Sequence, residues 1–237
     1  MQRGDFRTVK TIEPIDSGRF AGRYKLIFME PLPENLNEGD VFENKTWNPA
    51  VIIKNCKILK KNRARGILIT TPEKVVIENN FFRSGGAALL IEGDVSYWFE
   101  SGAHNDLIIR NNIFEDCNTS YEQYAIITIT PSHKPSDEKT EPYHKNIKIE
   151  NNVFKTFDYA LVKARSVRNL DFVNNEIIRT YKYKPFASQK SPFYLDGCRD
   201  VNITGNKISD DFLPRTIEID HMKKSDIRVE GFKVIKK

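Results

Sequence analysis

The sequence contains no apolar run that approaches the roughly 20 residues needed to cross a membrane, so no helical span is expected. It has only three cysteines, Cys56, Cys117 and Cys198, without CxxC spacing. That excludes a disulfide framework and a cysteine-ligated zinc site. The four histidines, His104, His133, His144 and His221, are dispersed, so neither a metal nor another cofactor is expected. Dense basic runs are missing too. The net charge of +5 comes from 37 Lys and Arg scattered among 32 Asp and Glu, a mixed solvated surface with no nucleic-acid partner implied. The opening Met1-Gln2-Arg3-Gly4-Asp5 is not the start of a signal peptide. Helical apolar spacing is nowhere sustained in the repeat region, which excludes an α/β fold.

What is present is a repeat. VIIKNCKI from Val51, VVIENNFF from Val75, LIIRNNIF from Leu107 and IKIENNVF from Ile147 align in register, followed by LDFVNNEI, VNITGNKI and IRVEGFKV. Each alternates apolar and polar residues, reaches Asn-Asn or a degraded form of it, and returns to an apolar residue. Period-two alternation rich in Val, Ile and Phe is the strand signature. Between the copies lie GILITT, AALLIEG, AIITIT, ALVKAR, FYLDG and TIEIDH. The expected fold is all-β, a right-handed parallel β-helix with two strands per coil. Asn suits the bends because it tolerates left-handed backbone, and stacked Asn side chains can form a hydrogen-bonded ladder. Ile77, Ile109 and Ile149 should share one inward column. Leucine-rich repeats lack support because their Leu-x-x-Leu-x-Leu pattern is absent, and a propeller would need four strands per blade.

Residues 1–48 read differently, as a small β segment or cap ahead of a β-helix over 49–237. A solenoid end that is not capped exposes core and strand edges, so self-association through an uncapped coil is expected there. Two coils are swollen by insertions, DVSYWFESGAHND and PSHKPSDEKTEPYHK. Both follow a second strand, so they should emerge side by side and wall a groove. A third, RTYKYKPFASQKSP, should emerge at another corner.

The first insertion carries the candidate chemistry. Asp94 and Glu100 could divide acid and base work across a glycosidic bond, which needs two flanking carboxylates. Tyr97, Trp98 and Phe99 offer flat faces for a pyranose, and His104 in the same loop is a further candidate substrate contact. Arg63 and Arg65, just before a strand, could fork onto a carboxylate or a sugar hydroxyl. The plainer alternative is a decorated loop, with solvated carboxylates, aromatics packed on the scaffold and surface arginine pairs.

The run TWNPAVIIKNCKILKKNRARGILITTPEKVVIENNFFRSGGAALLIEGDVSYWFESGAHNDLIIRNNIFEDC resembles the α-1,3-galactosidases of glycoside hydrolase family 110. The features are Thr46-Trp47-Asn48-Pro49, Arg63-Ala64-Arg65-Gly66, Thr70-Thr71-Pro72 and the Gly93-Asp94 … Trp98-Phe99-Glu100 … Gly102 loop. Weaker likeness continues through Phe154–Asp158 and Tyr183–Phe186. The resemblance implies a secreted or periplasmic bacterial β-helix hydrolase that removes terminal α-1,3-linked galactose with inversion and without a metal. It implies Asp94 and Glu100 as the carboxylates, with Arg63, Arg65 and Trp98 as substrate contacts. Members of that family are longer, and this chain resembles their C-terminal part. A non-catalytic carbohydrate-binding or structural β-helix is the alternative expectation.

Overall fold

The computed structural model describes residues 6–40, 42–59, 65–94, 97–98, 100, 102–120, 124–186, 188 and 190–236. The chain forms two compact units, residues 1–42 and 43–237. The division falls ahead of position 49 because local bonds gather the intervening segment into the second unit. Asn48 Nδ2 donates to Glu43 Oε1 at 2.8 Å, and Thr71 Oγ1 donates to the Pro49 carbonyl at 2.8 Å.

The first unit is a hairpin. Val9–Ile15 pairs antiparallel with Arg23–Phe28, and Gly18 and Gly22 take the positive φ of its connection. Phe28 stacks on Phe42 at 5.5 Å.

The second unit is a solenoid of three parallel sheets. The first sheet holds Val51–Lys54, Val75–Glu78, Leu107–Arg110, His144–Glu150, Val167–Val173, Arg199–Thr204 and Ile227–Val229. The second holds Lys57–Ile58, Phe81–Phe82, Ile113–Glu115, Val153–Thr156, Glu176–Arg179 and Lys207–Ile208. The third holds Ile67–Ile69, Leu89–Ile91, Ile127–Ile129, Val162–Arg165, Phe193–Asp196, Thr216–Asp220 and Lys233–Lys236. A coil therefore has three strands rather than the two expected. Each VVIENNFF-like unit is itself two strands bent at the Asn pair.

The two asparagines of the pair divide the work. The first takes the left-handed bend, with φ of 57° at Asn55, 56° at Asn79, 56° at Asn111, 53° at Asn151 and 56° at Asn174. The second is buried and builds the ladder. Asn80, Asn112 and Asn152 each donate through Nδ2 to the Oδ1 of the next, at 3.0 Å, and Asn175 continues to Asn206 at 3.2 Å. Each ladder side chain also satisfies a main-chain carbonyl of the preceding coil, such as Asn112 to Ile77 at 2.9 Å. A bend that would otherwise bury orphaned backbone groups is thereby satisfied.

Ile77, Ile109 and Ile149 are 0% exposed and occupy paired positions in successive coils. Phe82, Phe114 and Phe154 stack at 5.1 and 4.9 Å beside them. Burial of each such side chain contributes about 1.5–3 kcal/mol, so the columns carry most of the fold's stability. Among the described residues, helix is limited to the short turns Lys45–Trp47 and Lys224–Asp226, and no helix is long and apolar enough to cross a membrane.

The insertions at 92–106 and 130–143 both run from the third sheet to the first, and they are zipped together. The Ser132 N–H donates to the Gly93 carbonyl at 3.1 Å. A Cβ on Gly93 would stand 2.6 Å from the Tyr143 ring, so only glycine admits this contact. Further along, Pro135 lies against Gly197, where a Cβ would come within 2.4 Å. Arg199 donates to the Glu138 carbonyl, and Lys236 pairs with Glu138 at 2.6 Å. The second insertion thus runs down the corner of several coils.

Candidate active site on the outer face of the third sheet

In each strand of the third sheet the residue after the last inward apolar side chain faces outward. Register places Ile91 opposite Ile129, Ile129 opposite Ala164, Arg165 opposite Asp196 and Asp196 opposite Asp220. Glu92, Thr130, Arg165, Asp196 and Asp220 therefore form one outward column, each about 4.8 Å from the next along the stack. Neighbours in the column are bonded. Thr130 Oγ1 donates to Glu92 Oε1 at 3.4 Å, and Arg165 Nε donates to Asp196 Oδ2 at 3.0 Å.

A groove of about 600 Å³ runs beside the lower part of this column. Thr130, Lys163, Arg165, Tyr194, Asp196 and Asp220 are among the residues that line it. Tyr194 Oη accepts the N–H groups of Lys190 and Ser191 at 2.8 and 2.9 Å, which ties these two residues to the groove. Burial pushes the Tyr194 phenol up from its ordinary value.

At the upper end, three carboxylates meet one arginine. Burial raises the Glu92 carboxyl above its ordinary value, Glu100 and Asp94 push it further, and Arg65 opposes them. A carboxyl whose pKa is raised keeps its proton to higher pH, which suits it to the role of proton donor. Asp94 Oδ1 accepts the Tyr97 N–H at 3.0 Å and the Ser132 hydroxyl at 3.0 Å. The Asp94 carbonyl accepts the Glu100 N–H at 2.7 Å and closes the loop. Glu100 is half-buried, and its Oε2 has no hydrogen-bond partner among the described residues. Tyr97 and Trp98 stand 73% and 69% exposed, edge to face at 4.9 Å, so their faces are available to a ligand instead of packing on the scaffold.

The structure thus brings Asp94, Glu100 and Arg65 together, with Tyr97 and Trp98 on the same loop. Arg63 and Phe99 lie outside the described residues. His104 is elsewhere: the expected sugar contact is fully buried. Its Nε2 donates to the Ile69 carbonyl at 3.1 Å, its N–H donates to His144 Nδ1 at 3.1 Å, and the two rings stack at 5.2 Å. It anchors the returning end of the loop instead of facing a ligand.

Sequence reading missed Glu92, Asp196, Asp220 and His221. The signal was available: Glu92, Arg165, Asp196 and Asp220 hold one offset in AALLIEG, ALVKAR, FYLDG and TIEIDH. Asp196, Asp220 and His221 are also the one group among the described residues with three metal-type donors within 4.8 Å of one another. Arg165 already occupies Asp196 Oδ2 and His221 Nδ1 occupies Asp196 Oδ1, at 3.0 and 2.8 Å. The group is built as an ion-pair quartet rather than a cation cage.

Residues 41–231, nearly the whole second unit, match the family described as right handed beta helix region. The chain belongs to that family. Among curated proteins, it is 42% identical over 232 residues to alpha-1,3-galactosidase B of Bacteroides thetaiotaomicron, covering 95% of this chain and 37% of that protein. It is 40% identical over 226 residues to alpha-1,3-galactosidase B of Akkermansia muciniphila, covering 94% and 27%. Alpha-1,3-galactosidase A of Bacteroides fragilis is 39% identical over 204 residues, covering 85% and 33%. This β-helix chain spans about a third of the length of the curated relatives it matches.

Proposed function

We propose that this β-helix cleaves terminal α-1,3-linked galactose from glycans, in the groove along the Glu92–Asp220 column. The carrying observation is Glu92, whose carboxyl is raised above its ordinary value by burial and by nearby Glu100 and Asp94, and which Thr130, a residue of the groove wall, joins to the groove through a 3.4 Å hydrogen bond. Glu92 acts as the proton-holding member. The ionised partner comes from the loop, Asp94 or Glu100, which activates water on the opposite face of the sugar for an inverting reaction. Trp98 and Tyr97 offer the sugar an apolar face, and Arg65 holds the charge of the cluster. Asp196 and Asp220 supply hydrogen-bond acceptors for sugar hydroxyls further along. The names and 36–42% identities of the relatives support the substrate class. An exported location, secreted or periplasmic, accords with a glycan substrate.

A second reading, a carbohydrate-binding β-helix without turnover, is favoured by one observation: Asp94 Oδ1 accepts the Tyr97 N–H of its own loop and the Ser132 hydroxyl of the neighbouring insertion, a structural task. Incubation with a Galα1,3Gal glycoside separates the two. Galactose release by the wild type that is lost in Glu92→Gln supports hydrolysis, whereas saturable binding without release supports the binding reading.

A further inference from the structure

At the far end of the groove, Asp196 has each oxygen held by a different basic side chain. Arg165 Nε donates to Oδ2 at 3.0 Å and His221 Nδ1 donates to Oδ1 at 2.8 Å. The same histidine turns back on its neighbour. Its N–H donates to Asp220 Oδ1 at 2.9 Å, and its ring lies 3.6 Å from that carboxylate. Asp196 and Asp220 are paired positions on adjacent coils, so two carboxylates stand about 4.8 Å apart along the stack. Both line the groove. Two carboxylates at that spacing repel, and a positive charge between them offsets the repulsion.

We propose that His221 is a positioning residue of the groove: its imidazolium, lodged between Asp196 and Asp220, holds both carboxylates in place and aimed as acceptors for galactoside hydroxyls. The proposal rests on the galactoside reading above and adds a regulating charge to it. The balance is two cations, Arg165 and His221, against Asp196 and Asp220. Asp137 from the 130–143 insertion adds a further negative charge facing the ring, and Arg199 donates to the His221 carbonyl at 3.5 Å. When the imidazole loses its proton, the positive charge between the two carboxylates is gone, while Arg165 stays on Asp196 Oδ2. The repulsion between Asp196 and Asp220 then favours splaying, which spoils the acceptor geometry.

The direction of titration agrees with this geometry. The hydrogen bond to Asp196, then the charges of Asp220, Asp196 and Asp137, raise the His221 ring above its ordinary value, against opposing desolvation. Its charge is complete below about 6.5 and disappears as pH rises through the raised value. Ligand binding should follow the same course.

The test pairs two measurements. Proton NMR follows the His221 ring titration in wild type and in Asp196→Asn. Calorimetry follows the binding of methyl α-D-galactopyranoside across the same pH range in wild type and in His221→Asn. Asn is chosen because His221 has a φ of 46°, a left-handed conformation that Asn adopts readily. The wild-type ring should titrate above 6.5 and fall towards it in Asp196→Asn. Wild-type affinity should drop about five-fold or more across that titration, while His221→Asn binds weakly and without that pH dependence. A ring that titrates near 6.5 in both proteins would overturn the proposal, as would wild-type affinity that stays level through the titration. Absence of binding at every pH would overturn the galactoside reading instead, and the ring titration would still decide the coupling to Asp196.

Discussion

Ser132 Oγ donates to Asp94 Oδ1 at 3.0 Å, and this bond joins the two insertions. Asp94 Oδ1 also caps the Tyr97 N–H, so the residue has a structural task that is separable from any chemical one. Asn reproduces the acceptor oxygen without the charge. Asp94→Asn should therefore keep the amide protection of residues 97–106 in hydrogen exchange, whereas Asp94→Ala should lose it. If Asp94 is the ionised partner in hydrolysis, Asp94→Asn loses about 10²–10⁴ in turnover despite the intact loop. Full turnover in that variant assigns the role to Glu100.

Glu92 should leave a pH signature in stability. Its folded-state carboxyl is raised, chiefly by burial and then by Glu100 and Asp94. Ionising it therefore costs the folded state more than the unfolded one. The cost is absent below the ordinary carboxylate value and grows as pH rises through the raised value. Glu92→Gln should match wild type in thermal midpoint at low pH and exceed it at neutral pH. Equal midpoints across the range would show that Glu92 is not under strain.

The Asn pair allows a direct comparison of bend and ladder. Asn152→Ala removes acceptors from Asn112 and donors to Ile109 and Asn175 in the interior, at about 3 kcal/mol for groups left unsatisfied. Asn151→Ala adds only left-handed strain, about 1–2 kcal/mol. Urea unfolding of the two variants should show the ladder position as the costlier. The reverse order would mean that the bend, not the ladder, dominates.

Ile109→Asp places a charge in the inward column between Ile77 and Ile149, where exposure is 0%. Destabilisation of about 4 kcal/mol or more is expected. An unchanged thermal midpoint would contradict the register.

The solenoid and its inward columns were legible because alternation and the Asn repeat are local signals. Three strands per coil were not, since a two-residue strand such as Phe81–Phe82 is too short to show a period. Asp94 and Glu100 stand out as candidates in the sequence because they interrupt a repeat. Glu92, Asp196 and Asp220 were hidden inside it, where an outward polar residue looks like ordinary alternation. Their grouping depends on register across strands 24 to 38 residues apart, which the stacking of coils supplies. His104 misled for the opposite reason: it lies in a polar loop, yet packs inward on His144.

Whether the column from Glu92 to Asp220 is a galactoside-cleaving groove is decided most directly by one-dimensional proton NMR of a Galα1,3Gal glycoside incubated with the wild-type chain and with Glu92→Gln. The expected result is early appearance of the β-anomer of free galactose with wild type, and a rate at least about 10² lower in the variant. Equal rates in the two proteins, or no galactose from the wild type, would contradict it.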